Sequence, residues 1–250
     1  MLCFCVNSGP AFVISAVGGV LLRNVKIGII LFASQIAAAL FLGILCRFQK
    51  EAEEVFPKRS KTSSSDSPFI FSTADAAKGI LNMCAFVVLF AVLLSLLQES
   101  GVSQLFTQLL VSIGVPFPIA ASFLSAFLEV TSGCSDAAAL MIPPSLISFI
   151  LGWGGLCVHF QVFSCLTQIH IPRFRFILFR LLHGFFAAIF TQILFYFFPV
   201  SIQVFGNVSE PLSSQFSVSA PAAAALILLC IVFLCSIGKS SGRKKICGVL

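Results

Sequence analysis

The chain has 250 residues, 58% of them hydrophobic and 10% charged, with a formal net charge of +6. A soluble domain carries about 25% charged residues, so this composition excludes an ordinary water-soluble domain and describes a membrane protein. The positive surplus lies in polar stretches between apolar runs, where it orients a membrane protein and is not the footprint of nucleic-acid binding.

The first polar feature is Val6-Asn7-Ser8-Gly9, followed by Pro10 and an apolar stretch to Leu22. Gly9 and Pro10 break a helix after Asn7 and Ser8, and the apolar part is too short to cross about 30 Å of hydrocarbon. The first charged side chain is Arg23, so no signal peptide is expected, and insertion would use the first span, Ile27 to Cys46. The polar loop 47–78 follows. Its Arg47, Lys50, Lys58, Arg59, Lys61 and Lys78 predict a cytoplasmic location, and its serine-rich tract has the composition of a linker. The second span is Gly79 to Leu97, with Glu99 at its outer, interfacial end.

Between Val102 and Val115, Leu105, Phe106, Leu109, Leu110 and Ile113 recur at helical spacing among Ser103, Gln104, Thr107 and Gln108. That pattern predicts an amphipathic helix lying in the membrane interface. After Pro116 and Pro118, the run Ile119 to Val130 makes about 18 Å of helix, roughly half the bilayer. Cys134 to Ile142 then returns to a stop at Pro143 and Pro144. Residues 117–144 therefore read as a re-entrant hairpin with Thr131-Ser132-Gly133 at its tip. The alternative is one broken span from Ile119 to Ile142, with the amphipathic stretch also crossing.

Three further spans complete the count. Ser145 to Ile169 is made more polar by Gly152, Gly154, Gly155, His159 and Gln161; a neutral His159 packed among helices suits it better than a proton relay. Phe176 to Phe198 follows Arg173 and Arg175, with Arg180 placed to snorkel to the cytoplasmic end and His183 one turn on. The segment after it lacks Lys and Arg and reads as external; Ser219 to Ile237 is the last span, before a basic cytoplasmic tail. The expected fold class is all-α: a polytopic membrane helix bundle of about five spans plus broken or re-entrant helical hairpins, of transporter type. Its parts are 1–46, a broken helix and span; 47–78, a cytoplasmic linker; 79–198, a second half containing the re-entrant segment; and 199–250, the external loop, last span and tail.

The ten cysteines are scattered without zinc-ligand spacing or a disulfide framework, and no metal or cofactor is expected. Chemistry concentrates at the breaks. Water is absent from hydrocarbon, so a helix interrupted there is tolerated only where protein or a wet cavity meets the freed backbone groups. An ionised Glu129 near mid-bilayer costs at least about 2.5 kcal/mol and must be protonated, paired or hydrated. The candidate substrate or ion site is therefore Glu129, Thr131, Ser132 and Gly133, with Asn7 and Ser8 from the matching first break and Asp136 one turn on. Each has a structural alternative: a hydrogen-bonded protonated carboxyl for Glu129, a helix N-cap for Asp136, and back-bonding to helix carbonyls for the hydroxyls. The tetrapeptides at 6–9 and 130–133 echo one another, and transporters built from repeats place their sites at such paired breaks. No His-Glu-x-x-His or Gly-x-Gly-Asp stretch supports an intramembrane enzyme, and Glu129 has no Arg or Lys within tens of residues. Cys134, beside the expected tip, should label from an aqueous cavity.

At Leu128-Glu129-Val130-Thr131-Ser132-Gly133, together with Asn7 to Phe48, the chain resembles the YlbJ-type sporulation integral membrane proteins, which carry the nucleoside-recognition or Gate domain. The resemblance implies the cell (inner) membrane of a spore-forming bacterium, a role in making the spore, and kinship with transporters that hold helical hairpins around a central site. It also implies that this chain lacks an N-terminal part. The partners admitted are the lipid bilayer, a small-molecule or ion substrate and a homo-oligomer, and not nucleic acid. The rival to transport is a membrane scaffold for spore assembly.

Overall fold

The structure is a computed structural model that describes residues 6–47, 68–165 and 173–200. All of these belong to one compact unit, Met1–Ile202. The predicted last span, Ser219 to Ile237, the external loop after Val200, the basic tail and most of the linker lie outside the described residues.

Every regular element among the described residues is helical. In chain order they are α1 (Ala11–Leu21), α2 (Val25–Cys46), α3 (Pro68–Glu99), α4 (Val102–Ser112), α5 (Phe117–Leu128), α6 (Val130–Ala139), α7 (Pro144–Trp153), α8 (Gly155–Cys165) and α9 (Arg173–Phe197). Among the described residues, four stretches are long and apolar enough to cross a membrane: Val25–Cys46, Ser72–Glu99, Pro144–Ser164 and Arg173–Phe197. They are the four spans expected before residue 199. The molecule is a polytopic helical membrane protein.

Local chemistry sets the boundaries. Asn24 caps α2, its side-chain oxygen accepting from the Lys26 amide at 3.0 Å, and the 22 residues that follow make about 33 Å of helix. Pro116 and Pro143 precede α5 and α7, where a missing N–H costs nothing. α3 starts at Pro68, inside the stretch read as linker, and adds helix before the apolar run begins. α1 is wound wider than an α-helix, with i→i+5 hydrogen bonds continuing to Leu22 N–H on Val17 carbonyl at 2.9 Å.

Packing relies on small residues, as expected where lipid removes the hydrophobic drive between helices. α7 lies along α9, and α2 packs on both α9 and α1. A Cβ on Gly152 would sit 2.5 Å from Gly184 Cα, so α7 and α9 touch backbone to backbone. A polar seam joins the same helices. Gln35 donates to the Ser148 carbonyl at 2.8 Å, Ser34 and Ser148 hydroxyls meet at 3.2 Å, and Thr191 lies 2.7 Å from Ser34. All four are buried. α4 has no buried residue and packs on α5 through stacked Phe106 and Phe123.

The segment 117–144 doubles back. α5 and α6 pack on one another, and a Cβ on Gly133 would come within 2.4 Å of Ala126 Cα. Residues that close, on either side of Glu129, require a hairpin; one continuous broken span would carry them apart. The tip is displaced from the expected position. Glu129 alone has extended backbone, at φ −145° and ψ 127°, and Thr131, Ser132 and Gly133 lie within the first turn of α6. The break moves to the acid because its side chain can cap the new helix.

Candidate functional site

Glu129 is 3% exposed, yet its charge is met locally. One carboxylate oxygen accepts from the Thr131 amide at 2.8 Å and the other from the Ser132 amide at 2.6 Å. These are orphan donors at the start of α6, and the positive end of a helix favours an anion there. The acid is thus paired by its own helix. The predicted set 129–133 forms this one cap, with Thr131 exposed, Ser132 half-buried and Gly133 held against α5. Asp136 is half-buried one turn further. Asn7 is exposed, in a cavity of about 490 Å³ lined by Ile36, Leu40, Gly43 and Arg47, and Ser8 is half-buried. Cys134 contradicts the labelling expectation, because it is fully buried in a core with Val13, Val17, Leu31 and Ala137.

A second interruption meets the first. Gly154 and Gly155, at φ +80° and +74°, end α7 and start α8 in a conformation that L side chains rarely adopt. α7 packs on α9, α2 and α6, whereas α8 packs on α3 and α5. A Cβ on Gly155 would lie 2.9 Å from the Leu128 carbonyl oxygen and 3.0 Å from Glu129 Cα. The two helix breaks therefore abut. Trp153 at the end of α7 donates its indole N–H to the Phe127 carbonyl, at 3.3 Å, a carbonyl freed by the first break.

Arg180 of α9 closes the junction and was misread from sequence. It does not snorkel; it is 2% exposed. Its Nε donates to the Trp153 carbonyl at 3.4 Å, and Nη1 donates to the Val6 carbonyl. Nη2 would lie 3.1 Å from a Cβ on Gly154, so this glycine makes room for the guanidinium. Arg180 thereby ties the segment before α1 to the break in the middle of the chain. The positive-inside pattern alone could not find it, because an arginine two turns into a span looks the same whether it reaches outward or inward.

Two buried histidines flank it. The His159 ring is 4.4 Å from that of Trp153 and meets Phe176 edge-on at 5.3 Å. Its Nδ1 faces the Gly155 carbonyl at 2.7 Å, and His183 Nε2 faces the Gln35 carbonyl at 3.2 Å. A carbonyl only accepts, so those nitrogens carry protons. His159 Nε2 and His183 Nδ1 are buried without a partner among the described residues. Among the described residues no group of His, Cys, Asp and Glu side chains is placed to share a metal ion.

The fold and this junction define a class: a multi-pass helical membrane protein whose interrupted helices converge inside the bundle. No family model matches the chain, and no solved structure matches it significantly. It is similar to the sporulation integral membrane protein YlbJ of Bacillus subtilis (strain 168), at 29% identity over 220 residues, covering 76% of this chain and 54% of that protein. The chain thus spans about half the length of the curated relative it matches.

Proposed function

We propose that this protein is a sporulation membrane protein of transporter type, which binds or moves a small solute where its helix breaks converge. The observation that carries the reading is the abutment of the Glu129 break on the Gly154–Gly155 break, beside a buried Arg180. Interrupted backbone inside a bundle is the usual architecture of a midplane solute site. The cellular role rests on the similarity to YlbJ. The nucleoside-recognition or Gate relationship belongs to this proposal. So do placement in the cell membrane and a cytoplasmic C-terminus, which follow from the basic loop and tail.

The test is access. In a cysteine-free background, Thr131→Cys should react with a membrane-impermeant maleimide, and Glu129→Gln should change its rate. A Thr131→Cys that is inert from both sides of the membrane until denaturation removes the transport reading. Disruption of the gene in its own host should lower the yield of heat-resistant spores; an unchanged yield removes the cellular role.

The second reading is a non-transporting scaffold for spore assembly. It is favoured by the Glu129 carboxylate, both of whose oxygens are engaged in capping α6.

A further inference from the structure

The central junction carries a charge imbalance that its protein partners do not settle. Arg180 is buried, and an unpaired charge in a low-dielectric interior is costly enough that such groups are nearly always paired. Among the described residues its hydrogen-bond partners are two neutral carbonyls, those of Val6 and Trp153. They engage two of the five N–H donors that a guanidinium presents. Glu129, the buried acid of the neighbouring break, directs its oxygens to the α6 amides and makes no ion pair with Arg180.

A buried lone pair adds a second, independent sign. His159 is 2% exposed and its Nε2 has no partner among the described residues, while its Nδ1 proton is fixed by the Gly155 carbonyl. The imidazole lies tilted against the ring of Trp153, whose carbonyl Arg180 grips, and lies within electrostatic reach of that guanidinium. The junction therefore holds unused guanidinium donors and, on a ring in contact with Trp153, an unused imidazole acceptor. The kind of group that would answer both is an oxyanion that still bears a proton, such as hydrogen phosphate or a phosphate monoester.

We propose that Arg180, with His159 beside it, forms an oxyanion site at the helix breaks, and that the ligand taken there carries a phosphate-type group. This deepens the transport reading and rests on it. A guanidinium is the side chain suited to such a group, because its planar donors match two oxygens at once. A carboxylate ligand would use the fork but leave Nε2 unanswered. Sulfate, which has no proton to donate at neutral pH, would do the same. The phosphate could belong to a free solute or to a lipid headgroup.

The chain has one tryptophan, Trp153, and it sits in the site. Its fluorescence can follow occupancy without any knowledge of the physiological ligand. The full chain, purified in detergent, would be titrated with inorganic phosphate, sulfate and acetate at ionic strength fixed by chloride. A parallel arm would add phosphatidic acid or phosphatidylcholine in mixed micelles. The expected result is a saturable change with phosphate, or with phosphatidic acid alone if the source is a headgroup, and a weaker response to sulfate and acetate. Arg180→Lys, which keeps the charge and loses the fork, should raise the half-saturating concentration by about tenfold or more, the equivalent of one charge-assisted hydrogen bond. His159→Phe should retain binding and lose the preference for phosphate over sulfate.

No saturable response to any of these anions overturns the proposal, and so does a response unchanged in Arg180→Lys. Its failure is separable from that of the transport reading. A Thr131→Cys that still labels, with no anion response, leaves transport of another solute. Loss of both points to the scaffold.

Discussion

Glu129 is an acid that creates the helix it stands before. Its carboxylate caps α6 through two amides, and a side-chain cap is worth about 1–2 kcal/mol, more when ionised and buried. Glu129→Ala should therefore destabilise the detergent-solubilised protein by about 2 kcal/mol. Glu129→Gln, which retains one acceptor oxygen, should cost about half as much; thermal unfolding checks both. Cys134 makes a contrasting prediction. Fully buried within the hairpin's second helix, it should react with maleimide only after denaturation. At this scale the sequence was informative about which residues are unusual and poor about their partners. Glu129 stands out in an apolar run, but that its partners are the amides of Thr131 and Ser132 depends on where the chain bends. Arg180 was read as snorkelling because sequence gives its depth and not its facing direction.

At the scale of elements, the hairpin α5–α6 depends on contact between backbones. Gly133→Val would drive a branched side chain into Ala126, whose Cα already lies 2.4 Å from the site of a Cβ. The expected loss exceeds about 3 kcal/mol, through overpacking that backbone cannot yield to. Gly79→Ala in α3, with open space around it, should leave the midpoint of unfolding unchanged or slightly raised. Paired thermal melts of the two variants separate a close-approach glycine from an incidental one. The hairpin was legible because two prolines and a short apolar run fix its length. Its tip was not, because Thr131, Ser132 and Gly133 all suit a turn by composition, while capping strength favoured Glu129, two residues before them.

Across the whole molecule, α2, α7 and α9 are joined by a buried seam of Ser34, Gln35, Ser148, His183 and Thr191. Hydrogen bonds between membrane helices average about 0.6 kcal/mol in double-mutant cycles. The pair Ser34→Ala and Ser148→Ala should show coupling of about that size, since the two hydroxyls bond to one another at 3.2 Å. Coupling near zero would make the seam a set of independent back-bonds. The seam lies between residues far apart in sequence, so no local pattern announces it. The serines and threonine read singly as ordinary hydroxyls in apolar helices, and only their register across three helices makes them one feature.

The sequence by itself determined that this chain is a helical, multi-pass membrane protein. Its long apolar runs admit helix as the way to satisfy every backbone group in lipid. It also located the break beside Glu129, because proline, glycine and an acid within an apolar run are local properties, but it read Ser145 to Ile169 as one span and missed the break at Gly154–Gly155. What tertiary structure decided is which failures meet. The Glu129 break lies against Gly154–Gly155, and Arg180 reaches back to Val6, the residue before Asn7. Those pairings depend on close backbone approaches and on the face that each helix presents, and periodicity along one chain carries no information about either.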